Sequence, residues 1–135
     1  MGASFERLGA RAPISLTPSG ALQLGGVVYE TALLISSADV FAWKPASSTG
    51  GEADILRFLD AQESQRGDFL LLGAGATLAF PSLAFRAEID RRGLGLEAMD
   101  TRAACRTYNV LVAEARLFTA ALLPLAHIRA ALEAD

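Results

Sequence analysis

The stretch from Gly93 to Pro124, GLGLEAMDTRAACRTYNVLVAEARLFTAALLP, decides the fold. Gly95 to Met99 alternates small and apolar residues in the manner of a buried strand. Asp100 and Thr101 follow with side-chain oxygens that cap the exposed N–H groups of a starting helix, and helical spacing continues to about Glu114. Phe118 to Leu123 returns as strand, and Pro124 stops it. The spacing therefore predicts a β-α-β unit. It holds no paired carboxylates at a useful spacing, no cluster of metal ligands and no nucleophile beside a base, so it speaks to architecture more than to chemistry.

The segments before it continue the rhythm. Asp68 to Leu72 is an unbroken apolar strand, Gly73-Ala74-Gly75 a glycine-rich exit, and Pro81 to Arg91 a helix with proline near its first position. Strands alternating with helices imply parallel pairing with right-handed crossovers. Further back, Glu52 to Gln65 places Ile55, Phe58 and Leu59 on one face and Asp54, Arg57, Asp60 and Glu63 elsewhere, which predicts an amphipathic helix. The amino-terminal part is β-rich. Ile14 to Leu16, Ala21 to Leu24 and Val27 to Glu30 are separated by Thr17-Pro18-Ser19-Gly20 and Gly25-Gly26, the second a hairpin turn, and Leu33 to Ile35 and Val40 to Trp43 add two strands. Ile128, Ala131 and Leu132 predict a terminal amphipathic helix. The organisation expected is one domain over 1–135: a disordered lead-in at 1–11, a β-rich part at 12–43, an α/β part at 52–123 and a C-terminal helix at 124–135.

Composition supports one core. With 135 residues, 52% of them hydrophobic, the chain is in the range of a single domain. A formal net charge of −3 argues against non-specific attraction to nucleic acid or anionic membranes. The longest charge-free stretches, Ala12 to Tyr29 and Phe69 to Phe85, are broken by polar residues, glycines and prolines, so no membrane insertion is expected. The single cysteine, Cys105, cannot form an intrachain disulfide, which fits a reducing compartment, the cytoplasm or an organelle matrix. Eleven arginines against Lys44 alone reflect a composition bias with no function attached.

The candidate chemistry lies at the strand ends. Glycines after a parallel strand let backbone approach a phosphate, and a following helix offers its positive end, so Gly73, Gly75, Asp100, Thr101, Arg106 and Asn109 form a candidate anion or ligand crevice. The alternative is structural: a tight strand exit, with Arg86 and Arg106 solvating helix faces or pairing with Glu88, Asp90 or Asp100. The dinucleotide fingerprint is incomplete, because its third small position falls on Leu78. Cys105 reads as a small buried hydrophobe, and His127 as a surface or packing residue, because no other donors accompany it. No catalytic residue, metal site or cofactor is expected.

Gly73-x-Gly75, Pro81 with Arg86, the run from Gly93 to Thr101 and the run from Ala103 to Leu111 together resemble a family catalogued as domain of unknown function 498/598. Its animal members include a mitochondrial NADH dehydrogenase (complex I) assembly factor, and short bacterial proteins also belong to it. The resemblance implies an α/β fold of three layers around a mixed sheet of about five strands, with additional N-terminal β-hairpin structure. It implies a non-enzymatic assembly or protein-interaction factor whose partner is another protein, such as a respiratory-complex or membrane-biogenesis component, with self-association also open. The competing expectation is a small-molecule or anion-binding protein, or an enzyme, using the crevice. Ala115 stands where relatives often have the glycine that ends the helix.

Overall fold

In the computed structural model the residues described are 4–9 (backbone only), 12–37, 39–45, 51–75 and 81–125. Six strands form a mixed sheet: β1 (Ser4–Gly9), β5 (Ala32–Ile35), β6 (Val40–Lys44), β7 (Phe69–Ala74), β8 (Gly95–Met99) and β9 (Thr119–Leu123), in the order β1-β6-β5-β9-β7-β8. A second, antiparallel sheet joins β2 (Ile14–Leu16), β3 (Leu22–Leu24) and β4 (Val27–Tyr29). Three helices, α1 (Gly51–Ala61), α2 (Leu83–Arg91) and α3 (Thr101–Ala113), complete the described elements.

The crossovers follow from the sequence pattern. β8 and β9 both run parallel to β7 and flank it, with Leu71 opposite Glu97 on one side and Ala120 on the other. β5 then pairs antiparallel with β9, and β6 and β1 continue the sheet antiparallel. Buried on both faces, β5, β7 and β9 read as continuous apolar runs. Side chains alternate between two cores. Ala32, Leu34, Leu70, Leu72 and Ala121 pack with Ile55, Phe58 and Leu59 of α1 and Phe85 and Ile89 of α2. Leu33, Ile35, Leu71, Ala120 and Leu122 pack with Ala104, Cys105, Tyr108 and Leu111 of α3 and with Ile14, Leu22 and Leu24 of the small sheet.

Three details depart from expectation. Ser4–Gly9, read as part of a disordered lead-in, is an edge strand, held by antiparallel pairing with β6 from Ser4 opposite Lys44 onward. Helix α1 ends at Ala61 rather than Gln65, because Gln62 to Gln65 closes a turn through Gln65 N–H to Gln62 C=O at 2.7 Å. Helix α2 starts after Pro81: Ser82 is the N-cap, its Oγ accepting from Phe85 N–H at 3.1 Å, so proline sits ahead of the cap. The hairpin through Gly25-Gly26 forms as the turn signal predicts, with both glycines at positive φ and Leu24 opposite Val27. The helix expected within 124–135 and His127 fall, from residue 126 onward, outside the described residues.

The helices on the α1–α2 face are tied at both ends. Glu52 accepts from Ser82 N–H at 2.9 Å and Ser82 Oγ at 2.7 Å, joining the first turn of α1 to the cap of α2. At the other end Arg92 donates two bonds to the Asp60 carboxylate, at 2.7 and 2.9 Å, and one to Glu88 at 2.9 Å. The bond from Arg92 holds the Asp60 carboxyl below its ordinary range. Under α1, the buried Asp54 carboxylate accepts from Trp43 Nε1 at 3.2 Å and from Arg57, so the largest side chain of that core has its one polar atom satisfied.

Candidate functional site

The strand exit is built around Thr101. β7 leaves the sheet through Gly75 at φ +95°, and Thr101, the first residue of α3, is fully buried beneath it. Thr101 Oγ1 accepts from Gly75 N–H at 2.8 Å and donates to Leu123 C=O at 2.6 Å, while Thr101 N–H donates to Gly75 C=O at 2.9 Å. One hydroxyl thus ties the ends of two neighbouring parallel strands to the start of the helix. At Gly73 a Cβ would lie 2.9 Å from Leu122 Cδ2, 3.0 Å from Ala104 Cβ and 3.2 Å from Thr101 Oγ1. Glycine there lets α3 settle onto β7.

Asp100 caps α3, its Oδ1 accepting from Ala103 N–H at 2.9 Å. Gly73, Gly75, Asp100 and Thr101 therefore lie together, and their polar groups bond one another. Thr101 and Ala103 N–H, two of the first three of the helix, already have acceptors. Arg106 is not with them. α3 turns Thr101, Ala104, Cys105, Tyr108 and Leu111 inward, and the helical repeat leaves Arg106 exposed on the outer side. Asn109 is also elsewhere: its Oδ1 accepts from Ile14 N–H at 2.9 Å and its Nδ2 donates to Ile14 C=O at 2.8 Å, fastening the small sheet to α3.

Cys105 is buried, and desolvation pushes its thiol up to about 11 against the opposing influence of the Arg106 charge. A thiol held protonated is a poor nucleophile. Among the described residues no group of three or more His, Cys, Asp or Glu side chains could hold a metal ion.

A different depression lies at the opposite end of α3. It has a volume of about 440 Å³ and is lined by Asp68, Phe69, Glu97, Thr107, Leu111 and Arg116. Its floor is aromatic: Phe69 stacks on Phe118 with centroids 5.5 Å apart, and Arg116 Cζ lies 5.6 Å from the Phe69 centroid. Asp68 and Glu97 have no ion-pair partner among the described residues. Sequence reasoning passed over this group. The available signal was Glu97, the one charge inside an apolar strand, whose position at the sheet edge depends on strand order.

A six-stranded mixed sheet with two helices on one face, and one helix plus a small antiparallel sheet on the other, defines the class. It is similar to a solution structure of a Bordetella pertussis protein described as a Mth938-like domain, with a TM-score of 0.63 and 26% identity over 86% of this chain and 89% of that one. The chain belongs to the family described as protein of unknown function (DUF498/DUF598), which it matches over residues 14–123. Two relatives extend the likeness. An uncharacterized protein of Rhodobacter capsulatus is 36% identical over 113 residues, covering 84% of this chain and 85% of its own. NADH dehydrogenase [ubiquinone] 1 alpha subcomplex assembly factor 3 of Danio rerio is 31% identical over 110 residues, covering 82% of this chain and 62% of the fish protein. Among the described residues no helix is long and apolar enough to cross a membrane.

Proposed function

We propose that the protein is a non-enzymatic assembly or protein-interaction factor that acts in the bacterial cytoplasm on a respiratory NADH dehydrogenase, through contact with a peripheral subunit or its maturation machinery. The observation that carries this is the 31% identity to a vertebrate complex I assembly factor over 82% of the chain. The state of the polar groups supports it. Thr101, Asp100 and Asn109 each bond backbone groups of the fold, and Cys105 is buried and held protonated. This supports a reading in which the domain works on a partner through surface contact.

The test is genetic and biochemical. Deleting the gene in the native organism should lower the amount of fully assembled NADH dehydrogenase on native gels and NADH oxidation by its membranes, with both restored by the wild-type gene in trans. Unchanged assembly and activity would overturn the proposal.

A further inference from the structure

Strand β8 ends the larger sheet. β7 pairs with one side of it, and no described strand pairs with the other. A parallel edge with its outer N–H and C=O groups open is a template for a further strand. β8 is not neutral in what it accepts. Glu97 lies opposite Leu71, on the α3 side of the sheet, where it lines the depression with Asp68 over the Phe69 ring. Leu96 and Ala98 are half-buried on the α2 side, against the core of that face.

Charge is divided across α3. Thr107 and Leu111 flank the depression. Arg102 and Arg106 lie on the exposed outer side of α3, away from the depression. The depression therefore presents Asp68 and Glu97 against Arg116, whose guanidinium already rests over Phe69. A second copy is a poor occupant, because antiparallel pairing centred on Glu97 would set two Glu97 carboxylates opposite each other.

We propose that the β8 edge accepts an extended segment of a partner protein as a seventh strand, with the pattern apolar-basic-apolar. The residue in register with Glu97 projects to the α3 side, where a Lys or Arg meets the Glu97 and Asp68 carboxylates. Its two neighbours project to the α2 side and cover Leu96 and Ala98. This rests on the reading of the protein as an interaction factor and names the chemistry of its partner.

The experiment titrates the full chain with a capped heptapeptide of alternating apolar and Thr residues around a central Arg, following backbone amide signals by NMR. The expected result is saturable shifts at Gly95 to Met99, with binding weakened about tenfold when the central residue is Glu. Glu97→Lys should reverse that preference and keep the fold, because the side chain is exposed. Absence of shifts on β8, equal binding of both peptides, or concentration-dependent shifts there without peptide, the mark of a second copy, would each overturn the proposal. Loss of peptide binding alongside an intact deletion phenotype would discard the β8 assignment alone. A null deletion phenotype alongside charge-selective binding would discard the respiratory reading alone.

Discussion

The side-chain amide of Asn109 pairs with the backbone of Ile14 as a strand would, accepting from its N–H at 2.9 Å and donating to its C=O at 2.8 Å. Ile14 opens β2, an outer strand of the small sheet, and pairs with Leu24 on its other side. The amide therefore closes one step of a free edge from a helix distant in sequence. Asn109→Leu should destabilise the protein by about 1–3 kcal/mol, because it leaves the Ile14 donor and acceptor without partners in a half-buried place. Asn109→Asp keeps the acceptor, loses the donor and should also destabilise. Denaturant titration reads the loss. Hydrogen exchange should place it in β2 and β3, with amides of β7 still protected.

Ala115 carries the one positive φ outside glycine among the described residues, 58°. Around it α3 ends with Ala115 N–H bonded to Val112 C=O at 3.0 Å and Arg116 N–H to Leu111 C=O at 2.9 Å, the paired bonds of a Schellman stop. The chain reverses here whether or not glycine is present, at the cost of a Cβ held in the left-handed region. Ala115→Gly should raise stability by about 1 kcal/mol through relief of that contact, offset in part by a looser unfolded chain. An unchanged or lower denaturation midpoint would show that the left-handed conformation carries no cost here.

Much of this architecture was legible because the signals were local. The apolar run of β7, the Asp100 cap and the inward stripe of α3 each lie within a few residues, and the hairpin was marked by Gly25-Gly26. What escaped depends on pairing between distant segments. β1 is a strand because β6 offers it an edge, and no apolar run announces it. Asn109 has the composition of a surface residue until β2 is folded against it. The candidate crevice was half legible: proximity of Gly75 to Thr101 followed from the β-α-β unit, whereas the helical phase that carries Arg106 outward depends on which stripe of α3 the sheet buries.

At the strand exit, the Thr101 hydroxyl serves two buried backbone groups at once. Thr101→Val keeps the shape and removes both bonds, which should cost about 2–4 kcal/mol. Thr101→Ser keeps the hydroxyl and should cost less, isolating the hydrogen bonds from the packing. Gly75→Val should destabilise by about 1–3 kcal/mol, because φ +95° strains a β-branched residue. Chemical denaturation of the three variants checks the order; a Val variant at 101 as stable as the wild type would refute the role assigned to the hydroxyl.

Cys105 makes the protein's stability depend on alkaline pH. Burial raises the thiol from its ordinary value of 9.0 to about 11 in the folded chain, so between those values the unfolded chain has lost its proton while the folded chain keeps it. Fewer protons bound in the unfolded state means that unfolding becomes easier as pH rises. The stabilisation from the protonated thiol is complete below pH 9.0 and declines as pH climbs toward about 11. Cys105→Ala should flatten that part of the pH profile, whatever its effect on absolute stability through the lost sulfur. Near neutral pH the native thiol should react with iodoacetamide far more slowly than the same thiol in denaturant, because it is both covered and protonated. Rapid alkylation of the folded protein, or an identical alkaline slope in wild type and Cys105→Ala, would show that the thiol is not held as the packing around α3 requires.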